Sequence, residues 1–509
     1  MPNFKEVHSR VWKHERMSLI SVSVIFVVAV LAGVLFGFDI AIASLAGIAL
    51  ISIGLAKPEY LLAFLAVYLP FEPFLLKFVP DTVYVYARFS SEALIYVAAG
   101  AVVLKLLRGV GKINRTPMDL QFVLFVLVLF VSSILNALDP TLVVLGARQI
   151  IRFMIVFFAI VYLSPSDKFI KKLTVAMFAI VIFQSIIGLA QAFFGGSLDS
   201  FLLPEARRTF GEIQLTEGTV QFWDPGQRVF GTLGRYDRLG TFIAFFLLIA
   251  SAMLYEKRVR ERRPELWWLL VISIPALLLT YSRSSWFGFL LGFLFLGIII
   301  KRDRRVAIAG VVGALVIAGY LLTSATAVNR LIDVPGQTIT ERFFEAFSYQ
   351  RWRGEYLGLG RLYWIVQTPL KVIPVAPLFG HGPAQFGGGA VAALHATGVY
   401  DELGLPYGVY GTEGYIDNNW LSLWGETGTL GIIFYLWGYA ALFYYSLRVY
   451  KKSEDPFTRS LALGFSAAMI AVSVNAFLAT FLEVRTLAFY LWLYGGLVVV
   501  LGTRERIHI

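Results

Sequence analysis

The stretch "LPYGVYGTEGYIDNNWLSLWGETGTLGIIFYLWG", residues 405–438, changes character halfway along. Its first half is polar and rich in glycine. Its second half opens an apolar run that continues to residue 448, long enough to cross hydrocarbon as a helix. Asp417, Asn418 and Asn419 stand at the junction. An acid and two amides there can cap the helix that starts near Asn419, or they can serve chemistry at the lip of a membrane. The spacing leaves both roles open for Asp417.

Similar apolar runs recur along the chain, near 17–37, 39–56, 60–79, 91–107, 119–138, 141–163, 173–195, 238–255, 266–282, 284–300, 306–323, 419–448, 460–481 and 485–502. With 58% hydrophobic and only 15% charged residues in 509, the chain lies far from the roughly 25% charged content of soluble domains. The pattern predicts an all-α polytopic membrane protein of about 12–14 transmembrane helices. The run 60–79 holds Pro70, Glu72 and Pro73 and is expected to break. The first run is too long for a cleaved signal and reads as an anchor.

The charge pattern supports this reading. The net charge of +11 gathers in alternate short loops: 105–115, 168–172, 257–263, 301–305, 448–452 and 504–506. With fourteen spans all of these fall on the side of the N-terminus, as orientation by basic loops requires. The positive charge therefore needs no nucleic-acid partner. Two long loops, 196–237 and 324–418, then lie on the opposite, extracytoplasmic side. Both are mixed in composition, and residues 338–367 have an amphipathic helical rhythm, so the larger loop is expected to form short helices. No linker or repeat divides residues 1–509, which read as one transmembrane domain.

Cysteine is absent and histidines number five, so thiolate chemistry and a histidine metal centre are not expected. No phosphate-binding loop, zinc-protease or nucleophile-elbow motif occurs. The candidate chemistry rests on arginines. Arg148 and Arg152, one helical turn apart within 141–163, would lie about 10 and 16 Å below the outer surface at 1.5 Å per residue. Charges at that depth face a bundle interior. A phosphorylated ligand would suit both guanidiniums; pairing with buried carboxylates is the alternative. Arg283 lies in a tight outer turn, where Ser284 and Ser285 could cap the next helix. Arg228, Arg235 and Arg238 stand among glycines just before a span, in "GQRVFGTLGRYDRLGTFIAFF" (226–246). The large loop adds Arg361, His381 and His395; either histidine could act as a base or simply be solvated. Glu426 lies inside the span that Asp417 precedes. Arg485 is expected to pair with Glu483.

Three stretches together resemble the O-antigen ligase/polymerase family: "TYSRSSWFGFLLG" (280–292), "RVFGTLGRYDRLGTFIAFFLL" (228–248), and "PLFGHGPAQF" (377–386) followed by "DNNWLSLWGETGTLG" (417–431). The resemblance covers about residues 120–450. It implies a fold similar to the C-type glycosyltransferases in a bacterial inner membrane, with the active site facing outward. The donor would be an undecaprenyl-diphosphate-linked glycan, and the acceptor a lipid-linked repeat or lipid A core. A hydroxyl of the acceptor would attack C1 with inversion, with no cofactor or metal. Membrane lipids and a chain-length regulator are the compatible further partners.

Arg283 and Asp417 then carry catalysis. Arg148, Arg152, Arg228, Arg235, Arg238, Arg361, His381 and Asn418 bind the diphosphate and the glycan. Two departures stand out. The family's Asn-Pro-Asn is here Arg235-Tyr236-Asp237, and Asp417 occupies the place of the ligase histidine. The second departure favours a polymerase over a ligase. A flippase for a lipid-linked glycan is the reading from another class.

Overall fold

Small residues decide where the helices meet most closely. A side chain at Gly464 would come within 2.5 Å of the Ile249 backbone, so the helices Tyr236–Tyr255 and Pro456–Leu478 touch backbone to backbone. In hydrocarbon such contact replaces the hydrophobic drive that packs soluble helices. These two helices and Arg485–Arg504 form the centre of the bundle in the computed structural model. Phe242 and Phe246 of the first and Tyr490 and Tyr494 of the third meet there, with Phe246 edge to face against Phe242 and both tyrosines. The structure describes residues 37–109, 114–204, 209–210, 213–214, 226–409 and 414–508.

Among the described residues nine helices are long and apolar enough to span a membrane, or up to 11 if each bent pair is one span. Two shorter apolar helices, Asp119–Leu135 and Glu265–Leu279, accompany them. The chain is thus an all-α polytopic membrane protein; two two-residue strands, Thr209–Phe210 and Ile213–Gln214, are its only paired strands among the described residues. The expected first anchor near 17–37 lies outside the described residues.

The run 60–79 breaks at its prolines into Pro58–Tyr68 and Glu72–Phe78, bent by 76°. The run 141–163, read as one span, is bent as well. It divides into Pro140–Ile151 and Met154–Leu163, bent by 58°. No proline or glycine lies at this bend. Arg152 sits at it, with Nη1 3.0 Å from Glu92 and Nη2 2.9 Å from the Glu483 carbonyl, and these bonds tie the turn to two other segments.

The long helix Asn419–Lys452 is also interrupted. Gly428 has φ 66° and ψ −173°, a conformation open in practice only to glycine. The backbone groups freed there are taken up by the large loop. His381 and Gly382 N–H donate to the carbonyls of Gly425 and Glu426, and Thr429 and Leu430 N–H donate to those of Pro377 and Leu378, at 2.9–3.1 Å. Irregular backbone at this depth is tolerated because protein satisfies it.

The large loop folds as short helices, including Ile339–Phe344, Tyr349–Leu357 and Arg361–Gln367. Thr338 and Glu341 form a reciprocal capping box on the first. Trp364, Phe386 and Tyr400 give the loop a small core of its own with Val391 and Ile416. A parallel bridge between Gly387 and Tyr415 brings the loop's end beside its middle, and so places Asp417. The helix before the loop, Arg304–Thr323, buries none of its residues.

Candidate active site

Asn418, not Asp417, caps the long helix: its Oδ1 accepts from the Leu421 N–H at 3.0 Å. The Asp417 side chain is therefore spare, and its Oδ2 lies 3.2 Å from Arg361 Nη2. Arg361 is fixed from three other directions. Its Nε donates to the Leu478 carbonyl at 2.5 Å, its own N–H donates to Glu355 Oε2 at 2.9 Å, and Nη1 lies 3.5 Å from Glu355 Oε1.

From Glu355 a line of ion pairs crosses the loop. Arg351 bridges Glu355 and Glu345. Glu345, fully buried, also binds Arg283 at 2.9 Å and Arg342 at 2.8 Å. Arg342 reaches Asp333 at 2.7 Å, and Asp333 reaches Arg228 at 3.0 Å. Five arginines and four carboxylates are thus joined, and Arg228, Arg283, Arg361 and Asp417 stand in one connected network. Burial works to raise the Glu355 carboxyl, but Arg361 and Arg351 outweigh it and hold it below the usual carboxylate range. Asp333 behaves in the same way: burial raises it, and Arg342 and Arg228 bring it lower.

Arg283 begins the helix Arg283–Leu294. Ser282 holds the cap position without a side-chain cap bond, and Ser284 and Ser285 bond to Ser282 Oγ instead of capping. The local reason for a charge in this turn is Glu345.

Arg148 and Arg152 form a second centre. Both pair with Glu92 of the helix Asp81–Leu107, Arg148 through two nitrogens and Arg152 at 3.0 Å. Of the two roles the spacing allowed, pairing with a buried carboxylate is the arrangement present. Arg148 is nevertheless partly exposed, and Arg152 Nε has no hydrogen-bond partner among the described residues. Arg485 does not pair with Glu483. It turns to Glu72 at 2.8 Å and to the Arg88 carbonyl at 3.0 Å, because the break at Pro70 brings Glu72 to it. Arg88 and Arg238 lie in the electrostatic neighbourhood of Arg485 and Glu72. Arg235 binds Asp237 at 3.2 Å. His381 is buried, its Nε2 3.1 Å from the Val372 carbonyl, and stands outside both centres. His395 is exposed at the end of Gly389–Leu394.

The Arg283 turn, the ion-pair line apart from Arg228, and the Asp417 junction lie in a single stretch that comparison with known families identifies. Residues 268–436 match the O-antigen ligase family. This region holds Arg283, Asp333, Arg342, Glu345, Arg351, Glu355, Arg361 and Asp417. The family match supports a membrane glycan-processing enzyme of the ligase/polymerase type. Arg148, Arg152, Arg228 and Arg238 come from outside the matched region. No curated protein matches the chain.

Sequence reasoning missed the acidic half of the site. Glu345 and Glu355 lie three and four residues from Arg342 and Arg351, spacings that pair on a helix. Glu72 and Glu92 carried a different signal, as acids inside apolar runs.

Proposed function

We propose that this chain polymerises polyprenyl-diphosphate-linked oligosaccharide repeats on the extracytoplasmic face, as a metal-independent, inverting glycosyltransferase. The ion-pair line that ends on Asp417 carries this reading. It ties a carboxylate at the head of the long helix to Arg361, and through Glu355, Arg351 and Glu345 to Arg283. An acceptor hydroxyl attacks C1 of the donor sugar. The C1–O bond to the diphosphate breaks, and the diphosphate leaves with the electron pair. Arg148, Arg152 and Arg283 stabilise that charge, which preorganised guanidiniums do in a site that excludes water. Asp417, steadied by Arg361, accepts a hydrogen bond from the acceptor hydroxyl and aims it. Arg228, Arg235 and Arg238 add positive charge that favours the glycan-diphosphate donor.

The description of the matched family favours a second reading, transfer of the glycan to lipid A core. Asp417 in the place of a histidine favours the first. Purified protein in liposomes, given lipid-linked repeats and no nucleotide sugar, should lengthen the lipid-linked glycan. Glycan appearing on lipid A core instead would establish the ligase. Movement of intact labelled lipid across the bilayer, without a new bond, would establish a flippase.

A further inference from the structure

Glu72, Glu92, Glu345, Glu355, Asp333 and Asp417 are each held by an arginine. Glu426 and Glu483 are not: neither makes an ion pair among the described residues. Both are tethered by neutral donors. Glu483 Oε2 accepts from the Gly389 N–H at 2.7 Å and from Gln149 Nε2 at 3.1 Å, and its Oε1 lies 3.3 Å from Asn419 Nδ2. Glu426 faces the backbone N–H groups of residues 384–386.

The two carboxyl groups face one another across Gly388. A side chain there would stand 3.3 Å from Glu483 Oε1 and 3.4 Å from both Glu426 Oε1 and Ser422 Oγ. A cavity of about 20 Å³ lies between them, bounded also by Ile150, Asn419 and Leu423. That volume admits one water molecule.

The location joins the two halves of the site. Gln149 follows Arg148 in sequence, Arg152 donates to the Glu483 carbonyl, and Asn419 belongs to the junction that carries Asp417. We propose that Glu483, backed by Glu426, accepts the proton of the attacking hydroxyl, while Asp417 only aims it. This rests on the glycosyl-transfer reading above. As the acceptor oxygen bonds to C1, its O–H bond breaks and the proton passes to Glu483. The electron pair of the broken C1–O bond stays on the diphosphate. The proton then leaves through the cavity water.

The chemistry suits these two groups. A carboxylate locked to a guanidinium holds its charge and resists protonation. A buried carboxyl facing a second carboxyl has the opposite bias. Burial pushes Glu483 up, against the opposing pull of the Gly389 N–H, Gln149 and Arg152. The charged and titratable groups facing it are Glu426 and Tyr435 of the long helix and Arg152 of the bent pair; Arg485, two residues on, is turned to Glu72.

The test compares wild type, Glu483→Gln, Glu483→Asp, Glu426→Gln and Asp417→Asn in nanodiscs. Glu483→Gln should lower kcat by about 100-fold or more, the usual contribution of a general base, with KM for the lipid donor within about threefold of wild type. The acid limb of the wild-type pH profile should vanish in Glu483→Gln and persist in Glu483→Asp. In Glu426→Gln the limb should persist but shift, because an amide replaces the carboxyl that faces Glu483 across Gly388. Loss of the limb in Asp417→Asn with its retention in Glu483→Gln would assign the proton to Asp417 and overturn the proposal. A second readout needs no turnover. In an infrared titration, wild type should show a carboxyl band that protonates above the usual carboxylate range and is missing from Glu483→Gln. An unchanged titration in Glu483→Gln overturns the proposal. Absence of glycan extension by wild type, with that band present, would instead count against the polymerase reading alone.

Discussion

Replacing Gly428 by alanine tests the most demanding feature of the architecture. A Cβ there would strike the backbone of Leu378 and Gly380. Alanine at φ 66° and ψ −173° adds strain of about 1–3 kcal/mol. The helix could relieve both faults only by straightening, and the four hydrogen bonds from residues 377–382 to its broken turn would then be lost. At about 0.5–1.5 kcal/mol each they amount to roughly 2–6 kcal/mol. Either route costs several kcal/mol, enough to lower folded yield. Gly313→Ala is the control. It lies in the helix Arg304–Thr323, where a Cβ meets nothing within 4 Å, so alanine should be neutral or stabilise by up to about 1 kcal/mol through helix propensity. Thermal melting of the detergent-solubilised variants, read by size-exclusion recovery, separates them. A Gly428→Ala protein that melts with wild type and stays active would refute the claim that the loop and the broken helix are one backbone-paired unit.

Other outcomes follow from the site. Arg361→Ala and Asp417→Asn should each reduce glycan extension by about 10²-fold or more, and the double variant should be little worse than either, because the two act as a unit; full additivity in a double-mutant cycle would count against the pairing. Asn418→Ala should cost about 1 kcal/mol as a lost helix cap, visible in melting. Arg283→Lys should fail to restore activity to Arg283→Ala, since one ammonium cannot both hold Glu345 and fork to a phosphate; rescue by lysine would refute this. The Glu355 carboxyl is lower in the folded state than its ordinary value of 4.5, so its contribution is complete above 4.5 and is lost as pH falls through the folded value. Melting curves of wild type should therefore decline on acidification below 4.5, and Glu355→Gln should melt lower at neutral pH and decline less in that window.

The sequence shows the spans because each needs its own length of apolar residues, a local property. It shows the break near Pro70 for the same reason. It hides the bend at Arg152, which is imposed by Glu92 and Glu483 from segments 60 and 331 residues away. The arginines were legible because positive charge inside apolar spans, and in loops read from the charge pattern as lying opposite the basic ones, calls for explanation. Their partners were less so, since an acid in a polar loop looks ordinary until Glu345 is found fully buried among three guanidiniums. Whether Asp417 or Asn418 caps the helix was undecidable by type, because both suit the position. The structure assigns the cap to Asn418 by one residue of register, and that leaves the acid for Arg361.

The helix Arg304–Thr323 buries none of its residues, so lipid sets its depth more than protein does. A helix held in this way rises or sinks with bilayer thickness, at fractions of a kcal/mol per ångström. It leads directly into the large loop, while Arg283 is rooted in a helix that packs on the central bundle through Gly288 and Gly292. The Glu345–Arg283 contact is then the joint between a floating mooring and a fixed one. Membrane thickness is then expected to bear on the spacing of the arginines, and kinetics in bilayers of different thickness test it.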